Sequence, residues 1–177
     1  MRLYLVRHGK AEPKSTSGLD VDRELALRGR EQAAWLGQYL ARAEQIPTQI
    51  LTSSAVRARQ TAEILAAQVP AFASEREKET RSDKRIEICE ALGLQTTCSK
   101  VVAMLASLPT DGAIVCVGHN PTLSNLTTLL TQGLGNQSSV TLKTGQMMIL
   151  ECERPQDLIG TCRFLGAERC DTVPSRG

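Results

Sequence analysis

Only two histidines occur in the chain, His8 and His119, and each closely follows a run of residues that reads as a buried strand. In an open α/β sheet, ligands bind in the crevice at the carboxyl ends of the strands. Two histidines far apart in sequence can therefore share one crevice. Arg7 directly precedes His8, and an arginine at the end of a buried strand is costly unless it meets an anion. Arg57 falls in the first turn of a helix that Ser53 would cap. Helix starts attract anions through their free N–H groups and dipole, and a guanidinium there adds a bidentate contact to phosphate. Asn120 and Pro121 read as the opening of another helix beside His119. Two arginines, two histidines and two helix starts can thus converge on one tetrahedral anion, which is the chemistry of phosphate. Arg59 reads as part of a solvated helix face.

The elements that must position these groups follow from periodicity. Arg2–Val6 reads as a short buried strand and Lys10–Asp22 as a loop. A helix is predicted from about Glu24 to Glu44, with Ala33, Leu36, Leu40 and Ala43 on its inner face and Pro47 marking the break after it. Gln49–Leu51 reads as a strand, and the Ser53 helix reaches about Gln68 with Ala58, Ala62 and Leu65 inward. Pro70–Lys84 is charged and reads as a surface loop. Arg85–Cys89 alternates like a strand, Thr96 or Thr97 would cap a helix reaching Leu108, and Ala113–Val117 reads as a fully buried strand. The helix from Asn120 runs to about Thr131, and Gly133–Ser139 is a loop. Met147–Glu153 and Leu158–Leu165 would form a hairpin around Arg154–Asp157. The domain is placed at residues 1–166, with 167–177 a flexible tail. Strands alternating with helices predict an α/β sandwich on a mostly parallel sheet.

Composition excludes several classes. The chain has 177 residues, enough for one domain with a real core. A net charge of +2 with 3% aromatic residues gives no footprint for nucleic acid. No stretch is long and apolar enough to span a membrane. The N-terminal run meets Arg7 too soon for a signal peptide, so a cytoplasmic monomer is expected. The six cysteines, Cys89, Cys98, Cys116, Cys152, Cys162 and Cys170, include no C-x-x-C pair, and with two histidines they make poor zinc ligands. They read as single thiols, although Cys152 and Cys162 could face one another across the hairpin.

Spacing adds a resemblance. The start, L-V-R-H-G-K-A-E, resembles the R-H-G signature of the histidine phosphatase (phosphoglycerate mutase-like) superfamily. Asp22-Arg23-Glu24-Leu25 with Gly29, Gln32 and Ala33 is similar to its D-R-x-L…G…Q-A stretch. Ser53–Glu63, S-S-A-V-R-A-R-Q-T-A-E, is similar to its S-P-x-x-R-A-x-Q-T-A-E motif, and Val117–Pro121 resembles V-G-H-N-P. The short length and the G-H-N-P form look most like the small phosphohistidine phosphatases of the SixA group. The resemblance implies a three-layer α/β/α sandwich with one antiparallel strand and a metal-independent, cofactor-free phosphatase. His8 would be the nucleophile that becomes phosphorylated, and Arg7, Arg57, His119 and Asn120 would bind the phosphoryl group. Ala26 stands where the family usually has Thr, and Ser54 where Pro is common. Larger members carry a carboxylate that protonates an alcohol leaving group. Glu90, just after the Arg85–Cys89 strand, is the candidate acid here, while Glu12 reads as solvated.

The implied substrate is phosphohistidine on a signalling protein such as a histidine phosphotransfer domain. Two alternatives stand beside it: a phosphatase of small phosphoesters, which a lid-like Pro70–Lys84 loop and a working Glu90 would favour, and a non-catalytic phosphate-binding module.

Overall fold

The computed structural model describes residues 1–43, 46–70, 86–109, 111–135, 140–153 and 157–170. Six strands form one sheet: β1 (Arg2–Arg7), β2 (Gln49–Thr52), β3 (Ile86–Ile88), β4 (Ala113–Gly118), β5 (Gln146–Glu151) and β6 (Arg163–Arg169), in the order β3-β2-β4-β1-β5-β6. Neighbours from β3 to β1 pair in parallel, and β5 runs antiparallel to both β1 and β6. The predicted α/β sandwich with one reversed strand is therefore the observed architecture.

Among the described residues, four helices cover the sheet: α1 (Leu27–Ala41), α2 (Val56–Ala67), α3 (Cys98–Ala106) and α4 (Thr122–Gln132). Side chains alternate across a strand, so each central strand feeds two cores. Tyr4 and Val6 of β1 join Val115 and Val117 of β4 with Leu36, Leu40, Ala58 and Leu65 from α1 and α2. Leu3 and Leu5 join Ile114 and Cys116 with Val101, Leu105, Leu126 and Leu130 from α3 and α4. β4 is buried at every position, as its A-I-V-C-V run predicts. With few aromatic residues, both cores rest on aliphatic packing.

Several predicted boundaries move, each for a local reason. α1 begins at Leu27 rather than near Glu24, because Asp20–Asp22 form a 3-10 turn and Leu25 bridges to Ala11. It ends at Ala41, so Ala43 lies past the helix. Ser53 does not cap α2. Ala55 holds that position without a side-chain bond. Likewise Asn120 does not cap α4. Pro121, joined to it by a cis peptide bond, precedes Thr122, the first helical residue. Thr97, one of the two residues predicted to cap α3, accepts from the Lys100 N–H. The second hairpin strand lies at Arg163–Arg169 instead of Leu158–Leu165. Leu158 and Cys162 are buried, and the N–H groups of Gly160 and Cys162 donate to the Leu129 and Leu130 carbonyls at the end of α4. That segment caps a helix, which displaces the strand along the chain and through the boundary placed at residue 166. Cys152 and Cys162 do face one another, with their sulfurs 2.6 Å apart. Most of the Pro70–Lys84 segment, the Gly133–Ser139 and Arg154–Asp157 turns in part, and the tail beyond Cys170 lie outside the described residues.

Candidate active site

Parallel register brings the two histidines together. Val6 pairs with Val117, and Arg7 with Gly118, so His8 and His119 leave adjacent strands at the same level. Thr52 also pairs with Val117, which adds Ser53 as a third residue at a strand's carboxyl end. The imidazole centroids of His8 and His119 lie 5.0 Å apart, and both residues are buried.

The loop after β1 holds His8 by close backbone packing. A Cβ on Gly9 would overlap the Gly29 carbonyl at the start of α1, and a Cβ on Gly29 would overlap Lys10. The Gly9 N–H donates to Thr61 on α2, and the Lys10 N–H to Gln32 on α1. These contacts give a structural reason for glycine and glutamine at Gly9, Gly29 and Gln32.

The hydrogen bonds settle the state of His8. Its Nδ1–H donates to the Gly9 carbonyl at 2.8 Å, since a carbonyl can only accept. The lone pair is then on Nε2, and Arg57 Nε–H donates to it at 3.2 Å. Burial first, then the charges of Arg57, Arg7 and Arg23, push the His8 pKa down to about 4. The Gly9 bond opposes this shift but does not reverse it. His119 is pushed down to about 3, again by burial first and then by His8 and the guanidinium of Arg57. Both rings are neutral at physiological pH.

The cations surround these rings. Arg57, in the first turn of α2 as predicted, is buried and donates from both terminal nitrogens to Asp20, through its carbonyl and its carboxylate. Arg23 Nε lies 3.0 Å from the other carboxylate oxygen of Asp20. The guanidinium of Arg57 holds the Asp20 carboxyl below the usual carboxylate range. Arg7 donates to the Leu142 carbonyl at 2.8 Å, and its buried Nε has no partner among the described residues. Asn120 also donates to Leu142, so its amide nitrogen is engaged, while its buried oxygen has no partner among the described residues.

A cleft of about 300 Å³ results, lined by Arg7, His8, Lys10, Arg23, Arg57, Leu94, His119, Asn120 and Thr144 among others. It joins all the predicted site residues except Glu90. Glu90 instead lines a separate groove with Ala91, Gly93, Gln95, Thr96 and Lys100. Among the described residues, no carboxylate lines the cleft. Glu12 and Arg59 are exposed, as expected. Sequence reasoning assigned no site role to Arg23 or Asp20, and gave Ser53 only that of a helix cap. Arg23 lay within the D-R-x-L stretch, which was a usable signal. Nothing local distinguished Asp20. Ser53 carried the signal of a helix cap, which pointed elsewhere.

Comparison with known proteins identifies the family. The model of the histidine phosphatase superfamily (branch 1) matches residues 3–84. A protein of Picosynechococcus is 31% identical over 125 residues, covering 70% of this chain and 68% of its own. The chain belongs to the histidine phosphatase superfamily. A chloroplastic protein of Arabidopsis thaliana is 31% identical over 153 residues, 85% of this chain, and the match spans 66% of that relative's length. The protein histidine phosphatase SixA, solved with tungstate, shares the fold with a TM-score of 0.76 at 19% identity, covering 96% of this chain and 97% of its own. A phosphoserine phosphatase of Entamoeba histolytica, solved with 3-phosphoglyceric acid, gives 0.63 at 15% identity, covering 96% and 98%. The superfamily fold is thus common to proteins named for different substrates.

Proposed function

We propose that this superfamily member is a phosphatase working through a phosphohistidine on His8, and that its substrate is phosphohistidine on a protein. The observation that carries the mechanism is the His8 ring itself. Its Nδ1–H is tied to Gly9, so a neutral Nε2 lone pair faces a cleft lined by Arg7, Arg23 and Arg57. Phosphoryl transfer depends chiefly on positioning and charge stabilisation, which such a cleft supplies. Nε2 bonds to phosphorus as the bond to the leaving group breaks, and the cations neutralise charge on the phosphoryl oxygens. Water then cleaves the phosphohistidine and releases phosphate.

The lining favours one leaving group. An alcohol leaves only if something protonates it, and a positioned acid is worth about 10²–10⁴-fold there. Glu90 lines a separate groove, and the Asp20 carboxylate beside the cleft is held by Arg57 below the usual carboxylate range, which makes it a poor proton donor. An imidazole leaving group carries its own proton and needs no such acid. The alternative, a small phosphoester, is supported by the fold shared with the Entamoeba phosphoserine phosphatase.

The deciding experiment compares a phosphohistidine protein with phosphoserine and sugar phosphates, with rapid quenching to trap labelled phosphate. Label should appear on His8, vanish in His8→Ala, and turn over fastest from phosphohistidine. Turnover retained in His8→Ala would refute the mechanism. A wild type faster on sugar phosphates, with that activity lost in Glu90→Gln, would refute the substrate while keeping His8.

A further inference from the structure

Ser53 is fully buried at the end of β2, and its hydroxyl is wedged between two partners. It accepts from the Ala55 N–H at 3.3 Å and lies 2.9 Å from His119 Nε2. The other nitrogen of that ring, Nδ1, is buried and has no partner among the described residues. We infer that Ser53 is a positioning residue that holds the His119 proton on Nδ1, presenting Nδ1–H as a donor to a phosphoryl oxygen. This rests on reading the cleft as a phosphoryl site.

A balance of donors and acceptors decides the tautomer. A serine hydroxyl has one hydrogen to give and lone pairs to accept with. The Ala55 amide already takes up part of its accepting capacity. If His119 carried its proton on Nε2, that N–H would also donate to Ser53, and the buried hydroxyl hydrogen would have no acceptor. Nδ1 would then turn a bare lone pair toward the oxygens of an anion, which repels them. With the proton on Nδ1, the Ser53 O–H donates to Nε2, and Nδ1–H is left free to donate to an anionic oxygen. Buried polar groups left unpaired are costly, so the second arrangement prevails. The pKa of about 3 keeps the ring neutral, so one tautomer must be chosen. The β-ladder fixes the geometry, because the Ser53 N–H donates to the Val117 carbonyl at 3.0 Å, two residues before His119.

The chain has two histidines, which makes the tautomer directly readable. In ¹⁵N-labelled protein at pH 7, long-range ¹H–¹⁵N spectra of wild type should show both rings protonated at Nδ1, with His119→Asn assigning the signals. Ser53→Ala should move His119 toward the Nε2–H form, and Ser53→Thr, which keeps the hydroxyl, should retain Nδ1–H. Inorganic phosphate should shift the His119 Nδ1–H signal in wild type. On p-nitrophenyl phosphate, Ser53→Ala should lower kcat by between about tenfold and the ~10²–10³-fold of losing a charge-stabilising donor outright, with a smaller change in KM. Thermal melts identify any variant that fails to fold, and the wild-type tautomer alone still tests the assignment. Nε2–H on His119 in wild type, or an unchanged tautomer in folded Ser53→Ala, would overturn it. Nδ1–H lost in Ser53→Ala but indifferent to phosphate would keep the role of Ser53 and sink the phosphoryl reading instead.

Discussion

Acidification from pH 7 to pH 5 should destabilise the protein through His8 and His119 in particular. An unfolded histidine has a pKa near 6.5 and is almost fully protonated at pH 5. In the fold, His8 is pushed to about 4 and His119 to about 3, so both stay largely neutral there. The unfolded state then binds more protons, and stability falls with pH. The contribution is fully present above about pH 6.5 and is lost as pH falls through that value toward the folded pKa. Between pH 7 and pH 5 each ring costs about 2 kcal/mol, a figure fixed by the unfolded pKa once the folded one lies well below 5. The two together cost about 4 kcal/mol, a large share of the ~5–15 kcal/mol that stabilises a typical domain. For a chain of this size, that lowers Tm by roughly 8–15 °C. Asp20, with its pKa lowered by Arg57, gives up its contribution only at lower pH. The assay is a set of thermal melts in phosphate-free buffer for wild type, His8→Asn, His119→Asn and the double variant. Each single variant should lose about half of the pH dependence, and the double variant nearly all of it. A double variant that falls as steeply as wild type, or an NMR titration placing either ring near 6.5, would refute the argument.

Arg7→Ala, Arg23→Ala, Arg57→Ala and His119→Ala should each cut turnover by about 10²-fold or more, as when a transition-state charge contact is lost, while exposed Arg59→Ala should do little. Steady-state kinetics on one substrate tests this, and equal losses at Arg57 and Arg59 would contradict the geometry. Gly9→Ala, forced against the Gly29 carbonyl, should lower unfolding stability by about 1–3 kcal/mol in urea melts, and an unchanged midpoint would mean the loop gives way. After incubation with oxidised glutathione, peptide mapping should find Cys152 linked to Cys162, since those buried thiols touch, and a different internal pair would show that the hairpin is arranged otherwise.

Much of the site was legible because strand ends are legible. The runs R-L-Y-L-V and A-I-V-C-V are apolar, short and bounded, so their carboxyl ends could be placed within a residue, and the histidines with them. Arg57 followed from its place in the first turn of α2, although the cap assigned to that helix was wrong. Ser53 and Asn120 failed as caps for one reason. Each is the type of residue that caps helices, but the tertiary fold spends their side chains on His119 and Leu142. Capping preference is a local signal, and contacts between residues distant in sequence override it. Asp20 was illegible for the same reason, because its worth lies in reaching Arg57 across 37 positions. The β6 boundary was missed because buried Leu158 and Cys162 mimic a strand's apolar alternation while in fact closing the end of α4.

The link between Asp20 and Arg57 also bears on when His8 can react. Arg57 Nε–H rests on the His8 lone pair that would attack in the proposed reaction, while Asp20 holds the terminal nitrogens of the same guanidinium. Attack therefore requires Arg57 to release Nε2. A neutral imidazole is the weaker acceptor of the two on offer, because an anionic phosphoryl oxygen draws an N–H more strongly. In the proposed reaction, the arriving phosphoryl group takes the Nε–H bond from His8. The two bonds to Asp20 tether the guanidinium, so in that reaction the exchange would take place within the cleft. Binding and unmasking of the nucleophile then become one event. In that reaction, the side chain that holds the His8 lone pair is the one that would next steady the charge on the phosphoryl oxygens.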